Sequence, residues 1–145
     1  MRFLELEDQD SHQRFQVKIE SPDQYFASDL PSGKYRLIRV QISEGPFLSM
    51  ANLEMTFSVK AGVITRVGTW RFGVDSPRYG RMVVASVVGD QAEAAQVRDF
   101  LDGRYPTFDG RTMIEALPQP AQLEARLYEV MPYPRYPRYF RRHWW

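Results

Sequence analysis

Asn52-Leu53-Glu54-Met55-Thr56-Phe57-Ser58-Val59-Lys60-Ala61-Gly62-Val63-Ile64-Thr65-Arg66-Val67-Gly68-Thr69-Trp70-Arg71-Phe72 decides the fold class. In its first part Leu53, Met55, Phe57 and Val59 alternate with Glu54, Thr56 and Ser58. Strict alternation puts the apolar side chains on one face of a strand and the polar ones on the other. Ala61-Gly62 is a tight turn, and a second run, Val63 to Phe72, follows it at once. This pattern predicts an antiparallel hairpin of Asn52–Val59 against Val63–Phe72. Phe57, Trp70 and Phe72 are predicted to fill the core.

The same period extends in both directions. Phe15, Val17 and Ile19 alternate with Gln16, Lys18 and Glu20, and Tyr35, Leu37, Val40 and Ile42 lie in an extended run, 34–43. Arg81–Val88 is β-branched and nearly all apolar, which suits a strand covered on both faces. Phe3–Leu6 reads as a short edge strand from which Glu5 and Glu7 face water. Turn chemistry separates the runs at Ser21-Pro22-Asp23, Leu30-Pro31-Ser32-Gly33 and Asp75-Ser76-Pro77. One helix is predicted near residues 90–102. Asp90 is its N-cap, Glu93 completes a capping box, Ala94, Val97, Phe100 and Leu101 share a face, and Gly103 closes it. Residues 112–117 fit a last strand. The fold class expected is mainly β: an antiparallel β-sandwich in residues 1–117 with that one α-helix. Residues 118–145 read as a C-terminal extension. It holds either a short helix over 120–131, from the spacing of Leu123, Leu127, Val130 and Met131, or a strand, and then an extended tail over 133–145.

Composition narrows the function classes. The 145 residues are 43% hydrophobic and contain no cysteine, so disulfides, zinc-thiolate sites and cysteine nucleophiles are excluded. No run of roughly 18 apolar residues is present to form a membrane-spanning helix. Gly33-Lys34 is a turn and not a phosphate loop, because position 28 is Ser28 and position 35 is Tyr35. Glu5, Glu7, Asp8 and Asp10 lack calcium-loop spacing. His12 and His143 stand far apart in sequence, and Ser11-His12 has no third group. Asp75, Asp99, Asp102 and Asp109 are read as turn and helix-surface acids. Nothing calls for a metal or cofactor, and the expectation is a protein that is not an enzyme.

Charge and aromaticity gather at the C-terminus. Residues 133–145 hold six of the twenty aromatic residues, four arginines and no acid, whereas residues 1–30 carry seven acids against three bases. Pro132, Pro134 and Pro137 favour extended backbone. The Pro-Arg-Tyr repeat sets Arg135 and Arg138, and Tyr136 and Tyr139, three residues apart, giving one cationic and one aromatic edge on a three-fold helix. Arg135, Tyr136, Arg138, Tyr139, Phe140, Arg141, Arg142, Trp144 and Trp145 are the candidate partner-binding residues, since buried tryptophan, tyrosine and arginine dominate interface energetics. Packing of the tail on its own domain is the competing reading. Arg78-Tyr79-Gly80-Arg81 is a second basic-aromatic segment, which would enlarge that surface if it lay near the tail.

Leu30-Pro31-Ser32-Gly33-Lys34-Tyr35 with Leu37, Val40 and Ile42, then Phe57 through Val67-Gly68-Thr69-Trp70, then Asp90–Leu101 closed by Tyr105-Pro106, occur in an order that resembles a family of proteins. These are small bacterial envelope proteins, often lipoproteins, with a prealbumin-like or carboxypeptidase-regulatory-like β-sandwich. The resemblance covers roughly residues 30–106. It implies an exported domain, periplasmic or tethered through a lipidated cysteine, with no enzymatic activity. That cysteine and a leader are not in this chain, and the residues themselves leave the cytoplasm open.

The function expected is a structural or protein-interaction module of the bacterial cell envelope that contacts its partner through the tail. The partner expected is another envelope protein or a second copy of the chain, followed by an anionic membrane surface. Nucleic acid ranks last, because residues 1–132 are net negative, with 15 bases against 18 acids. The alternative is a carrier holding a small apolar ligand beside Phe57, Trp70 and Phe72, or an enzyme without a recognisable motif.

Overall fold

The computed structural model describes residues 2–19, 25–44, 47–75 and 80–130. Among them are nine strands, one α-helix and one 3-10 turn. They are β1 (Phe3–Asp8), β2 (Arg14–Lys18), β3 (Gly33–Glu44), β4 (Phe47–Val59), β5 (Ile64–Arg66), β6 (Thr69–Asp75), β7 (Arg81–Val88), α1 (Gln91–Arg104), the 3-10 turn Pro106–Phe108, β8 (Met113–Glu115) and β9 (Gln122–Glu129). The chain is mainly β with one helix, and its large sheet is antiparallel throughout.

Seven strands form one sheet in the order β2-β1-β3-β4-β9-β7-β6, and β5 and β8 form a small parallel pair. The large sheet is strongly curled. Phe57 on β4 and Trp70 on β6 are three strand steps apart, about 14 Å in a flat sheet, yet their ring centroids lie 6.3 Å apart. The two halves therefore face each other across one core while remaining hydrogen-bonded through β4 and β9, a sandwich in a loose sense. A row of rings runs through the core: Phe15 meets Tyr35, Tyr35 stacks on Phe57, and Phe57 meets Trp70, which also touches Phe26 and Phe72. Tyr35 is fully buried, and its hydroxyl donates to Pro31 O at 2.7 Å. Phe57 is buried, whereas Trp70 sits half-buried at the core margin with Nε1 donating to Val67 O at 2.7 Å.

Four expectations are corrected here. The run 63–72 does not pair with β4. It is split at Gly68 into β5, which pairs with β8, and β6, which pairs with β7. Gly68 has φ +77°, and a Cβ there would lie 2.6 Å from Leu117 and 2.9 Å from Val88 O, so the chain turns at a point only glycine fits. Residues 120–131 contain a strand and not a helix. β9 inserts between β4 and β7, so the region after Leu117 belongs to the sheet. Leu123, Ala125 and Leu127 turn inward at period two, and burial of that face outweighs the helical spacing. β1 is not an edge, because β2 and β3 flank it. The helix ends at Arg104 with Tyr105 as its C-cap, beyond Gly103. Asp90 does cap it, accepting from Ala92 N at 2.9 Å. Glu93 bonds to Thr69 Oγ1 and lies 3.7 Å from Arg71, which ties α1 to β6.

Candidate functional site

The strand directions sort the connections to two ends of the sheet. At one end, called the lower, lie the β1–β2 turn, the Lys60–Gly62 turn, the β5–β8 pair and α1. Asp8 Oδ1 organises the first of these turns by accepting from Asp10 N at 2.8 Å and Ser11 N at 2.9 Å. Those bonds hold its carboxyl below the usual carboxylate range. Arg66, whose side chain is 6% exposed, bonds to Glu115 of the neighbouring strand and donates to Asp90 O at 2.8 Å. One guanidinium thus fastens β5, β8 and the start of α1.

At the upper end β1 begins, β2, β3, β6 and β9 finish, and β4 and β7 begin. Val130 is the last described residue, and its N–H donates to Leu48 O at 2.7 Å. Arg81, which opens β7, pairs with Leu127 of β9. The tail and the Arg78–Arg81 segment are therefore rooted in adjacent strands. Arg135, Tyr136, Arg138, Tyr139, Phe140, Arg141, Arg142, Trp144 and Trp145 lie outside the described residues, as do Arg78 and Tyr79.

The outer face of β2, β1 and β3 carries a charge ladder that local sequence reading missed. Arg36 Nη2 donates to Glu7 Oε1 at 2.7 Å, Arg14 lies 3.4 Å from Glu7 and 3.5 Å from Glu5, and Arg39 lies 3.4 Å from Glu5. The glutamates do face outward, but the arginines cover them: Glu7 keeps 10% of its side-chain exposure, against 57% for Arg14. The Arg36 hydrogen bond, against the opposing effect of burial, holds the Glu7 carboxyl below its usual range, with the charges of Arg36, Arg14 and His12 adding to it. A bulge aligns the ladder. β3 slips by one residue against β1 between Leu37 and Arg39, so Arg36 and Arg39 both face outward while Leu37 and Val40 face inward. The signal was present in the odd step from Leu37 to Val40. Beside the ladder is a groove of about 250 Å3 bordered by Arg14, Arg36, Arg39, Asn52 and Glu54. Nearer the upper end is one of about 360 Å3 bordered by Arg2, Phe3, Gln16, Lys18 and Gln41.

The other residues weighed for chemistry lie apart. His12 is 78% exposed at the side chain and 3.8 Å from Glu7. Asp102 pairs with Arg98 at 3.0 Å, and Asp109 lies 3.9 Å from the same arginine. Asp99 lies on the exposed side of α1. Among the described residues no group of three or more His, Asp or Glu is placed to hold a metal ion. Comparison with protein-family models, curated proteins and solved structures finds no match for the chain.

Proposed function

We propose that this protein is a non-enzymatic interaction module of the bacterial cell envelope. In this reading the curled sheet is a rigid platform that presents the aromatic, arginine-rich tail to an envelope partner. The observation that carries it is the rooting of both basic-aromatic segments in neighbouring strands, with Val130 at the end of β9 and Arg81 at the start of β7. In this reading the two segments, which start from neighbouring strands, act together through tyrosine, tryptophan and arginine, the residue types of interface hot spots. The resemblance of residues 30–106 to small envelope proteins supports the location. The test replaces Tyr136, Tyr139, Trp144 and Trp145 with alanine in the full chain and follows thermal unfolding and distribution between envelope and soluble fractions. The expected result is an unchanged Tm with loss from the envelope fraction. A variant that stays in that fraction, or that unfolds several degrees lower, refutes the reading, the second outcome because the tail would then be part of the fold.

A further inference from the structure

Among the described residues the large sheet ends on two strands, β2 and β6, and the two are defended differently. β2 is five residues long, and Arg14 and Lys18 flank its outward positions. Charge on a short edge strand is a standard obstacle to pairing with another chain. β6 is seven residues long and carries charges of opposite sign, Arg71 and Asp75, where β2 carries two of like sign. A Cβ at Gly73 would meet nothing within 4 Å, and Val74 is one of the large hydrophobic residues left exposed, at 37%. The helix reaches β6 at its other half, through Glu93 to Thr69 and Arg71.

We infer that β6 is a self-association edge, where two copies of this chain pair antiparallel about a two-fold axis through Gly73. The commitment to a second copy comes from Arg71-Phe72-Gly73-Val74-Asp75, which is complementary to itself when reversed. With Gly73 opposite Gly73, Arg71 of each copy stands opposite Asp75 of the other, and Phe72 stands opposite Val74. Side chains alternate faces along a strand, so both charged pairs fall on the outer face and both apolar pairs fall on the face that carries Trp70. Val74 is then covered by Phe72 of the other copy, and the glycine pair leaves the axis free of side chains. Arg71 keeps its approach to Glu93, and Asp75 is already engaged within its own copy. The register adds a partner of opposite sign without requiring either group to be free. This is an isologous contact that closes on itself. It joins two seven-stranded sheets into one of fourteen and points the upper ends in opposite directions, so that one dimer presents a tail root at each extreme.

The test measures oligomeric state by sedimentation velocity on the full chain across its soluble concentration range. The wild type is expected to show a reversible monomer–dimer equilibrium. Arg71→Asp alone sets Asp against Asp, and Asp75→Arg alone sets Arg against Arg, so each is expected to be monomeric. Mixed one to one, the two variants regain opposite charges at both positions and form a heterodimer, which also shows that each is folded. A second, independent readout uses the absence of cysteine. Paired residues in antiparallel strands have Cα atoms about 4.5–5.5 Å apart, within the span a disulfide bridges. Gly73→Cys is therefore expected to form a covalent dimer on mild oxidation much faster than Lys60→Cys, which is exposed at the other end of the sheet. A monomeric wild type overturns the inference, including the case where β6 instead receives a peptide of another protein. A dimer unaffected by both charge reversals, or one that disappears when residues 131–145 are removed while the reversals have no effect, also overturns it.

Discussion

The two ends of the sheet are built on opposite plans. The lower end is closed by secondary structure: β5 pairs with β8, α1 starts beside them, and Arg66 binds all three. The largest core rings, Tyr35, Phe57 and Trp70, lie in this half, and the Glu7 ladder braces its outer face. The upper half is filled by smaller side chains, Val40, Ala51, Val83 and Leu127, and its described parts are strand ends. Among the described residues the aromatic packing is concentrated at the lower end, and the proposed contact segments leave from the upper. On the proposed reading, stability and recognition are separated in this fold, and substitutions at the lower end should be read as changes in folding free energy.

The largest effect is expected at the ring row. Phe57→Ala removes a buried ring touching both Tyr35 and Trp70, and large-to-small changes of this kind cost about 3–5 kcal/mol. Trp70→Ala should cost less than Phe57→Ala, because its ring is half-buried at the margin and part of its surface already meets water. Chemical denaturation of the two variants checks the order. A larger loss for Trp70→Ala would mean that the margin, and not the buried row, holds the halves together.

Next come two glycines with nearly the same backbone and different surroundings. Gly62 has φ +76° with open space around it, and Gly68 has φ +77° with Leu117, Val88 O and Val87 closing in. Gly62→Ala should show the conformational penalty alone, of order 1 kcal/mol. Gly68→Ala should exceed it, because Val88 O is backbone and cannot swing away. Equal losses would show that the junction of β5 and β6 yields more easily than its contacts indicate. At the helix, Asp90→Ala removes a cap bond and should cost about 1 kcal/mol.

Much of this was legible in the sequence, and the misses share a cause. Alternation identified β2 and β4, and the extended run marked β3, because each strand buries one face, while β7 was marked by its β-branched, nearly all-apolar composition. Asp90 marked the start of α1 because a cap is a local arrangement. The partners of β5 and β6 were not legible. Ala61-Gly62 suggested the nearest neighbour, and only contacts with Leu117 and Val88, distant in sequence, make Gly68 a break. β9 was ambiguous because Leu123 and Leu127 suit either period, and the choice rests on the place left between β4 and β7. The partners in the charge ladder were not legible for the same reason, although the odd step from Leu37 to Val40 marked the bulge that aligns them. Glu5 and Glu7 looked like water-facing acids until β2 and β3 brought Arg14, Arg36 and Arg39 over them.

The smallest expected effect concerns that ladder and tests whether it braces the lower half. The Glu7 carboxyl is held below the usual value of about 4.3 by Arg36 above all. A carboxylate with a depressed folded-state pKa contributes stability that is fully present above its unfolded-state pKa. That contribution is lost as pH falls through the folded-state value. Asp8 shifts in the same direction through the amides of Ser11 and Asp10, so both act in one acidic window, from about pH 4 downward. Glu7→Gln should lower stability slightly at neutral pH, since Arg14 and Arg36 lose a charged partner but keep water. It should also flatten the fall in stability as pH drops below about pH 4 relative to the wild type, because one linked proton has been removed. Denaturant midpoints measured at intervals across that range decide the matter. If the variant's midpoint falls as steeply as the wild type's, Glu7 is not a linked group, and the acid response belongs to Asp8 and the turn it holds.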